Sequence, residues 1–377
     1  MNFNPILFRH QLHRHPEISG RENWTSNYIA NTLRQLGYKP VTGIGGYGVV
    51  VKIDSDCDGP NLLFRADIDA LPIDELSQHD HVSECQGVMH ACGHDGHAAS
   101  LVCLASRLRE NNLQRGSVHL VFQPSEENGR GAEAMLQDNN WQFDEIDYCF
   151  GYHNIPGYPI GQILTRDNTF SFASTGIIIK FEGTEAHAAY PEQGVDPTPA
   201  LIELIQRTSL IVESNATSHF LVTIIHVHAG QPAFGTTPKD GTLMLTARSN
   251  SNKLFDKKCA EIKSIAKEIA NKFQLLYSLT LVDNFKAIVN HSEANLILLQ
   301  ACKELGFDSE RLTEPMRWSE DFSHFSSRWP SAFFGIGSGN EHPTLHDPTY
   351  DFPDTLIDIS SKVFEKIIRN MNGLKTR

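Results

Sequence analysis

The sequence predicts an α/β fold in which an open twisted sheet has helices on both faces and is interrupted by a smaller α+β domain. Short apolar runs alternate with helical periodicity through residues 1–171, which is typical of a sheet covered by helices. The pattern changes over 172–289 and returns over 290–377. Since 377 residues exceed the usual size of one hydrophobic core, we predict a main domain of 1–171 and 290–377 with 172–289 inserted.

Local signals predict the elements of the main domain. Asn4 and Pro5 predict the start of a first helix, and residues 19–22 form a capping box that predicts a second helix, closed by Gly37. The elements that follow are strands 48–54 and 61–66, helix 93–110, strand 117–123, helix 131–137 and strand 146–153. After the insertion come helix 295–305, strand 332–337 and helix 354–370.

The inserted segment has the pattern of a compact α+β unit. It contains strand 175–182, helix 198–213, strands 219–230 and 241–248, a long helix and a last strand. The long helix has one apolar face, while lysines and glutamates fill the other face. Its apolar residues are Leu254, Phe255, Cys259, Ile262, Ile265, Ala266, Ile269 and Phe273.

Bulk composition narrows the classes of function. A formal net charge of -13, without a local Lys/Arg cluster, disfavours nucleic acid and anionic membranes as partners and favours a small molecule. No apolar run approaches membrane-spanning length, and charged residues and histidines interrupt any signal peptide within residues 1–16, so we expect a cytoplasmic protein. Seven cysteines without paired spacing predict free thiols. The 18 histidines, several beside Cys, Asp or Glu, indicate metal.

Segment 90–97, His-Ala-Cys-Gly-His-Asp-Gly-His, is the densest signal for metal chemistry. Cys92 and His94 would point roughly opposite ways on a helix, so they can share a metal site only in a loop, where Gly93 permits an unusual backbone. Asp95 is a candidate to accept the second N–H of a ligating imidazole. The alternative is a buried thiol beside capping histidines.

Two adjacent carboxylates, Glu126 and Glu127, follow the predicted strand 117–123. Strand ends of an open α/β sheet are where ligands bind, and consecutive residues of an extended loop point in different directions. Glu127 can therefore bind metal while Glu126 faces a bound water as general base. Burial would raise the pKa of Glu126 and nearby cations would lower it, a balance that the sequence leaves open. The alternative is that both residues merely favour the N-terminus of the next helix.

Two isolated histidines complete the ligand set: His153 at the end of a predicted strand and His346 in the returning segment. The alternative is that each is an ordinary polar histidine. With Cys92, His94 and Glu127 they give five donors dominated by thiolate and imidazole, which suits Zn²⁺ or a similar divalent ion. Five donors serve two ions only if the thiolate or a solvent oxygen bridges them. A bridging hydroxide would then be the nucleophile.

Six ordered motifs resemble those of one family. They are Leu12-His13-x-x-Pro16-Glu17, Arg65-Ala66-Asp67-Ile68-Asp69-Ala70-Leu71-Pro72, Met89-His90-Ala91-Cys92-Gly93-His94-Asp95, Phe122-Gln123-Pro124-Ser125-Glu126-Glu127, His187-Ala188-Ala189-Tyr190-Pro191 and Ser319-Glu320-Asp321-Phe322. Together they resemble the dinuclear metallopeptidases related to aminoacylase and glutamate carboxypeptidase. More narrowly, they are similar to the amidohydrolase branch with hippurate hydrolases, auxin-conjugate hydrolases and N-acetyl-diaminopimelate deacetylases.

This resemblance implies a metal-dependent enzyme that cleaves the amide bond of N-acyl amino acids by attack of a metal-bound hydroxide, with Glu126 as base. It implies two divalent ions per subunit, Zn²⁺ or Mn²⁺ with Co²⁺ or Ni²⁺ as further candidates, in the domain of 1–171 and 290–377. The inserted domain would act as a lid and pair two subunits in a homodimer. His187 would polarise the scissile carbonyl or hold the oxyanion. Arg248 would bind the substrate's α-carboxylate, unless it is simply a solvated arginine at a strand end.

Two departures from the family pattern affect the site. Arg65 stands where the wider family has a metal-binding histidine, and a guanidinium cannot bind metal. Cys92 and His94 would fill that place, with Asp67 supporting the ligands from behind and Asp69 in a structural role. Gly235 stands where the branch usually has an asparagine, so substrate preference is expected to differ.

Other functions stay open on the sequence. A dipeptidase or an N-acetyl-diaminopimelate deacetylase would use the same site. A mechanistically different hydrolase would use Cys92 as nucleophile with a nearby histidine as base. A non-catalytic binding protein on the same fold is the third class, and the intact Glu126 speaks against it.

Overall fold

The protein is described here by a computed structural model, which covers residues 3–143, 145–214 and 218–376. The chain divides into two compact units. The first unit is Met1–Phe170, Ile288–Glu314 and Glu320–Arg377, and the second is Ser171–Ala287 and Pro315–Ser319. The short segment Pro315–Ser319 thus packs with the second unit, whereas the sequence predicts 290–377 as one continuous part of the main domain.

The elements of the described residues are named in chain order. The helices are α1 (Pro5–Arg14), α2 (Asn23–Gln35), α3 (His94–Arg109), α4 (Gly131–Gln137), α5 (Thr198–Ser209), α6 (Asn252–Lys272), α7 (Ser292–Leu305), α8 (Ser323–Ser326) and α9 (Thr355–Met371). The strands are β1 (Val41–Ile44), β2 (Gly48–Asp54), β3 (Asn61–Asp67), β4 (Asn111–Leu113), β5 (Ser117–Gln123), β6 (Tyr148–Pro156), β7 (Ile163–Thr165), β8 (Asn168–Ser171), β9 (Ala173–Glu182), β10 (Glu213–Ser214), β11 (His219–Ala229), β12 (Asp240–Ser249), β13 (Leu276–Phe285), β14 (Ile288–Asn290), β15 (Ser309–Arg311), β16 (Ser331–Gly339) and β17 (Leu374–Thr376).

A mixed sheet in the order β1-β2-β5-β3-β6-β16-β7-β15 forms the centre of the first unit. Its middle strands are parallel: β3 pairs with β5 and β6, and β6 pairs with β16. Antiparallel pairs join β1 to β2, β2 to β5 and β7 to β16. Because parallel strands end at the same edge, the segments that follow β3, β5 and β6 meet there, and this is the edge where open α/β sheets bind ligands.

Alternate residues of β3 serve the two faces of this sheet. Leu62 and Phe64 lie in a core that also takes residues from α1, α2, α3, α7 and α9. Arg65 points to the opposite face, where its guanidinium bonds Glu320 and Asp321 just before α8. On that side α4 and α8 contact each other, and α8 also contacts β16. The predicted sheet with helices on both faces is confirmed.

The second unit is an α+β fold around its own core. An antiparallel sheet in the order β10-β11-β12-β9-β13 carries α5 and α6, which pack against each other and against β12. The predicted apolar face of the long helix, α6, packs against this core. Four of its residues, Phe255, Ile262, Ile265 and Ile269, are buried members of the core. Among the described residues, no helix of either unit is both long enough and apolar enough to cross a membrane.

The two predicted helix starts have different outcomes. Asn4 caps α1 as predicted, because its side-chain oxygen accepts from the N–H groups of Ile6 and Leu7. The capping box at residues 19–22 was wrong. The Ser19 hydroxyl donates to Asp69, and the Glu22 carboxylate accepts from the backbone of Gly20 and Ser125, so neither side chain closes the box.

Candidate metal centre

Cys92 and His94 reach the same place through an unusual turn. His94 is the first residue of α3, so it does not lie in the loop as predicted, and Cys92 directly precedes the turn. Gly93 between them has φ 90°, and a Cβ there would come within 2.8 Å of the Asn154 Oδ1 atom. Only glycine fits both the backbone angle and the space. This glycine therefore allows two residues that are two positions apart to share a site.

Two groups of ligand atoms share Cys92. In one group the Cys92 thiol lies with His94 and His153, and in the other with Glu127 and His346; within each group all ligand atoms are within 4.8 Å of one another. The Cys92 Sγ is 3.4 Å from the His153 Nε2, and the Glu127 Oε1 is 3.9 Å from the His94 Nε2 and 3.7 Å from the His346 Nε2. The structure therefore brings the five predicted ligands together, with the thiol common to both groups.

The hydrogen bonds of this cluster leave its metal-facing atoms available. The His94 Nδ1 lies 3.0 Å from the Asp69 carbonyl oxygen, and the His153 Nδ1 lies 2.8 Å from the Asn154 carbonyl oxygen. A carbonyl only accepts, so Nδ1 carries a proton in both rings, and Nε2 is the nitrogen that faces the other ligand atoms. Among the described residues, the buried His94 Nε2 and Glu127 Oε1 atoms have no hydrogen-bond partner. Buried unpaired polar atoms are costly, and two divalent ions would satisfy them, so the residues fit such ions.

The charge balance of the cluster also calls for cations. Burial lowers the pKa of His94, but the carboxylates of Asp67, Asp69 and Glu127 outweigh it and raise the pKa to about 10. Burial, with the nearby carboxylates of Glu127 and Glu126, raises the pKa of the Cys92 thiol well above its usual value. A cysteine nucleophile needs the opposite shift. Metal ions would displace the His94 and Cys92 protons. Their positive charge would balance the negative charge of the carboxylates.

Asp69 supports the ligands more directly than the sequence suggested. It was expected to be structural, with Asp67 behind the ligands. In the structure the Asp69 Oδ1 lies 3.2 Å from the His94 Nδ1, and its Oδ2 accepts from the Glu127 backbone at 3.0 Å. One carboxylate thus orients two ligands. The sequence did contain a signal for this role: Asp69 lies two residues after Asp67, in the Arg-Ala-Asp-Ile-Asp motif that begins near the end of β3.

Asp67 lies beside the predicted metal ligands and contacts the side chains of His94, Arg65 and His97. Its Oδ2 is 3.7 Å from the His94 Nε2 and accepts from the Arg65 guanidinium at 2.6 Å. Its Oδ1 contacts the His97 Nδ1 at 2.5 Å. Burial opposes the charged form, but His94, His97 and Arg65 lower the pKa of Asp67 well below its usual range. Asp67 is therefore a buried carboxylate that borders the ligands.

Asp95 does not serve the five ligands as predicted. Its Oδ2 accepts from the His13 Nδ1 at 2.8 Å and from the Arg9 guanidinium at 3.0 Å. The second N–H groups of His94 and His153 go to Asp69 and to a backbone carbonyl instead. Asp95 points away because it follows His94 on α3, where neighbouring residues face different directions.

Glu126 lies beside the ligand groups and has the environment of a base. It is 5% exposed, and its Oε1 accepts from the Asp321 N–H at 3.3 Å. Burial first, and then the carboxylates of Glu320 and Glu127, raise the pKa of Glu126 well above its usual value.

Arg65 holds the acidic groups behind Glu126. Its side chain is 1% exposed, and it donates to Asp67 at 2.6 Å, to Glu320 at 2.8 Å, to Asp321 at 2.9 Å and to the Gln123 side chain at 2.8 Å. The residue that replaces a metal-binding histidine is thus a buried counter-charge for three carboxylates.

Replacing Arg65 by methionine should strongly destabilise the first unit. The change leaves Asp67, Glu320 and Asp321 buried without their cation, so we expect the free energy of unfolding to fall by about 3–5 kcal/mol. Urea unfolding followed by circular dichroism measures it. Arg311→Met is the matched control, since Arg311 pairs with Asp167 at 2.8 Å on the surface and should cost less than about 1 kcal/mol. Equal losses in the two variants would contradict the assignment.

His346 reaches the centre from the segment after β16. Its backbone N–H donates to the Ala91 carbonyl at 2.9 Å, next to Cys92, which fixes the position of this segment. The side chain is 51% exposed, the most accessible of the three histidine ligands. Its φ of 67° lies in the left-handed region, which residues other than glycine seldom adopt.

His187 and Arg248 both belong to the second unit. His187 is exposed, and its Nδ1 accepts from the Ala189 N–H at 3.0 Å. Ala188 donates to the Gly235 carbonyl at 2.9 Å, so the segment with the unusual glycine lies against the His187 segment. Arg248 is half-buried and donates to the Arg317 carbonyl at 3.0 Å, so it is not a freely solvated strand end.

Comparison with known proteins identifies the family. The sequence profile of peptidase family M20/M25/M40 matches residues 63–370. The chain belongs to this family. Its M20/M25/M40 relatives include the hippurate hydrolase of Campylobacter jejuni, 32% identical over 367 residues that span 95% of this chain and 94% of that protein. The N-acetyl-L-cysteine deacetylase of Bacillus subtilis is 28% identical over 355 residues, which span 93% of this chain and 84% of that protein.

Solved structures of the M20/M25/M40 type share the fold. A putative aminohydrolase from methicillin-resistant Staphylococcus aureus superposes with a TM-score of 0.88 at 27% identity, over 98% of this chain and 96% of that one. The YXEP protein of B. subtilis, described as a dinuclear metal-binding peptidase of family M20, gives 0.81 at 25% identity, over 97% and 96%. The resemblance inferred from the six motifs is confirmed, and the chain is a metal-dependent hydrolase of amide bonds.

Proposed function

We propose that this enzyme hydrolyses the amide bond of N-acyl amino acids at a centre of two Zn²⁺ or Mn²⁺ ions, with Co²⁺ or Ni²⁺ as further candidates. The observation that carries the proposal is the pair of ligand groups that share Cys92, with Glu126 beside them. The relatives named for hippurate and for N-acetyl-L-cysteine, both N-acyl amino acids, support the substrate class.

The chain's residues divide the chemistry between binding and proton transfer. Divalent ions held by the five ligands would polarise the scissile carbonyl and lower the pKa of a water. Glu126 takes a proton from the attacking water and delivers it to the leaving nitrogen. Because the Glu126 Oε1 is bonded to the Asp321 N–H, Oε2 is the oxygen that we assign to this transfer.

In our proposal the second unit supplies the substrate contacts. The His187 Nδ1 accepts a backbone N–H, so Nε2 carries the proton and can donate to an oxyanion. One Arg248 nitrogen is held by the Arg317 carbonyl, which orients the guanidinium and leaves N–H groups for a carboxylate. These properties support His187 as carbonyl donor, Arg248 as carboxylate ligand and residues 172–289 as the lid.

We also propose a homodimer formed through the second unit. Strand β11 lies near the edge of its sheet, where β10 pairs with only its first residues. Beyond that pairing, Ile225 is 61% and Val227 is 47% exposed. An apolar strand with an unpaired edge is a pairing surface for a second copy. A cytoplasmic location is also proposed, and the seven free cysteines support it.

A substrate screen on metal-loaded enzyme tests the proposed reaction. The panel is N-acetyl, N-benzoyl and longer N-acyl amino acids, N-acetyl-diaminopimelate and dipeptides. We expect the highest kcat/KM with an N-acyl amino acid. Faster hydrolysis of dipeptides or of N-acetyl-diaminopimelate would favour the alternative reaction at the same site. No turnover of any member would favour a binding protein.

Chelation separates the metal mechanism from a Cys92 nucleophile. Activity should disappear with a chelator and return with Zn²⁺ or Mn²⁺. An enzyme that a chelator leaves fully active, but that thiol alkylation inactivates, would contradict the proposal.

A further inference from the structure

A second cluster of metal-binding side chains lies in the first unit and shares no residue with the two groups around Cys92. His13 of α1 meets Glu75 and His79, which belong to the segment between β3 and α3. One ligand atom from each of the three lies within 4.8 Å of the other two. The family comparisons concern a dinuclear centre, so this group is unassigned.

The distances in this cluster match the edges of a tetrahedral metal site. The Glu75 Oε1 is 3.2 Å from the His13 Nε2 and 3.1 Å from the His79 Nε2. Ligand atoms about 2.0–2.2 Å from a tetrahedral Zn²⁺ lie roughly 3.3–3.6 Å apart. A metal ion could therefore bind between these atoms with only small side-chain movements.

The other polar atoms of His13 and Glu75 make hydrogen bonds of the kind that support metal-binding side chains. The His13 Nδ1 is 2.8 Å from the Asp95 Oδ2, and the Glu75 Oε2 accepts from the Ser83 N–H at 2.7 Å. Each side chain is thus fixed by one atom, and its other atom takes part in the 3.2 Å hydrogen bond between the His13 Nε2 and the Glu75 Oε1, which a bound ion would replace. A carboxylate behind an imidazole is the usual support of a ligating histidine, and it gives Asp95 a partner that is not one of the five catalytic ligands.

The His79 imidazole makes no hydrogen bond among the described residues, as expected for a side chain that binds an ion. Neither of its ring nitrogens has a hydrogen-bond partner among the described residues, although both are buried atoms. Its Nε2 lies near the Glu75 Oε1 without hydrogen-bond geometry. The side chain as a whole is 20% exposed, which leaves a route for an ion from solvent.

The surrounding charge favours a cation despite a nearby arginine. Arg9 pairs with Asp95 at 3.0 Å, with Asp351 at 2.8 Å and with Asp354 at 2.6 Å. With Glu75, four carboxylates therefore surround the single positive charge of this arginine. The Asp351 Oδ1 is also 3.8 Å from the His79 Nε2, the position of a further oxygen donor. His81 is excluded as a ligand because its Nε2 accepts from the Arg9 guanidinium.

We propose that His13, Glu75 and His79 bind a third divalent ion, Zn²⁺, separate from the catalytic pair. Two imidazoles and one carboxylate suit Zn²⁺ better than Mg²⁺ or Ca²⁺. The ion joins α1 to the segment that runs on to Cys92 and His94, so its role is to hold that segment in place.

Zinc stoichiometry of the full chain tests the site. Apoprotein is dialysed against buffered Zn²⁺, and bound zinc is measured by atomic emission. Wild type should bind one equivalent more than His79→Gln and than Glu75→Gln. His15→Gln is the matched control, because His15 follows α1 directly and bonds the Gln11 carbonyl of that helix at 3.0 Å, and it should bind as much as wild type. Equal zinc in all four proteins overturns the proposal.

Cobalt spectra show which site has lost its ion. Co²⁺ bound by Cys92 gives a thiolate-to-metal charge-transfer band, whereas the proposed site contains no sulfur. The band should therefore be the same in wild type and His79→Gln, while the bound Co²⁺ falls by one equivalent. A variant that loses its equivalent together with the thiolate band would overturn the proposal, since the substitution would then act through the catalytic ions.

Discussion

Glu126→Gln is expected to lower kcat by about 10²–10⁴-fold while the metal content stays at the wild-type level. The amide has the shape of the carboxylate but cannot accept a proton from water. Glu126 lies outside both groups of ligand atoms that share Cys92, so its replacement removes no metal donor from them. Steady-state kinetics on the best substrate of the panel, with metal analysis of the same samples, measures both quantities.

The control for this variant is Glu133→Gln on α4. Glu133 is exposed, and within the described part of the chain its side chain accepts only from the Gln137 side chain of its own helix, at 3.1 Å, so its charge is expected to have no part in proton transfer. Its kcat should match wild type. If Glu126→Gln also kept the wild-type kcat, another group would have to be the base.

Cys92→Ser is expected to weaken binding at both proposed metal sites strongly and thereby to abolish turnover. Both groups of ligand atoms depend on the Cys92 sulfur, so one substitution removes a donor from each. A serine hydroxyl does not ionise in the range where a metal draws a thiolate from cysteine. Metal titration followed by atomic emission should show weaker binding at both sites.

Cys103→Ser controls for the loss of a buried thiol. Cys103 is 8% exposed on α3 and is outside both ligand groups, so this variant should keep its metal and its activity. Two ions bound at wild-type affinity in Cys92→Ser would disprove the shared donor. Inactive protein that still held both ions would revive the cysteine nucleophile.

The sequence predicted best the elements whose local signals agree with their packing. The predicted strand 117–123 coincides with β5, because every residue of that run is buried and Gly116 and Pro124 bound it. The predicted helix 198–213 continues too far: α5 ends at Ser209, and Leu210 after it is 83% exposed. Apolar residues past the helix end looked like a continuing face, since periodicity alone cannot show where burial stops.

The site shows the same limit at the level of single contacts. Local residue chemistry selected Cys92, His94 and Glu127, whereas His153 and His346 were weak candidates until the six ordered motifs indicated the family. These signals could not select Asp69 over Asp67 as the partner of His94, because that contact joins the segment after β3 to α3 across 25 positions of the chain. The capping box failed for a similar reason. Ser19 and Glu22 have the right spacing, but Asp69 and Ser125 provide better partners from elsewhere in the fold.

The left-handed backbone at His346 lowers the stability of the fold, whereas the imidazole at the same position is needed for the proposed metal binding. A residue with a side chain in this conformation costs on the order of 1–3 kcal/mol, and glycine would remove that strain together with the imidazole. Variants selected for thermal stability alone should therefore drift toward glycine at this position and lose the ligand. Efforts to stabilise the enzyme should leave His346 unchanged and look for their gains elsewhere.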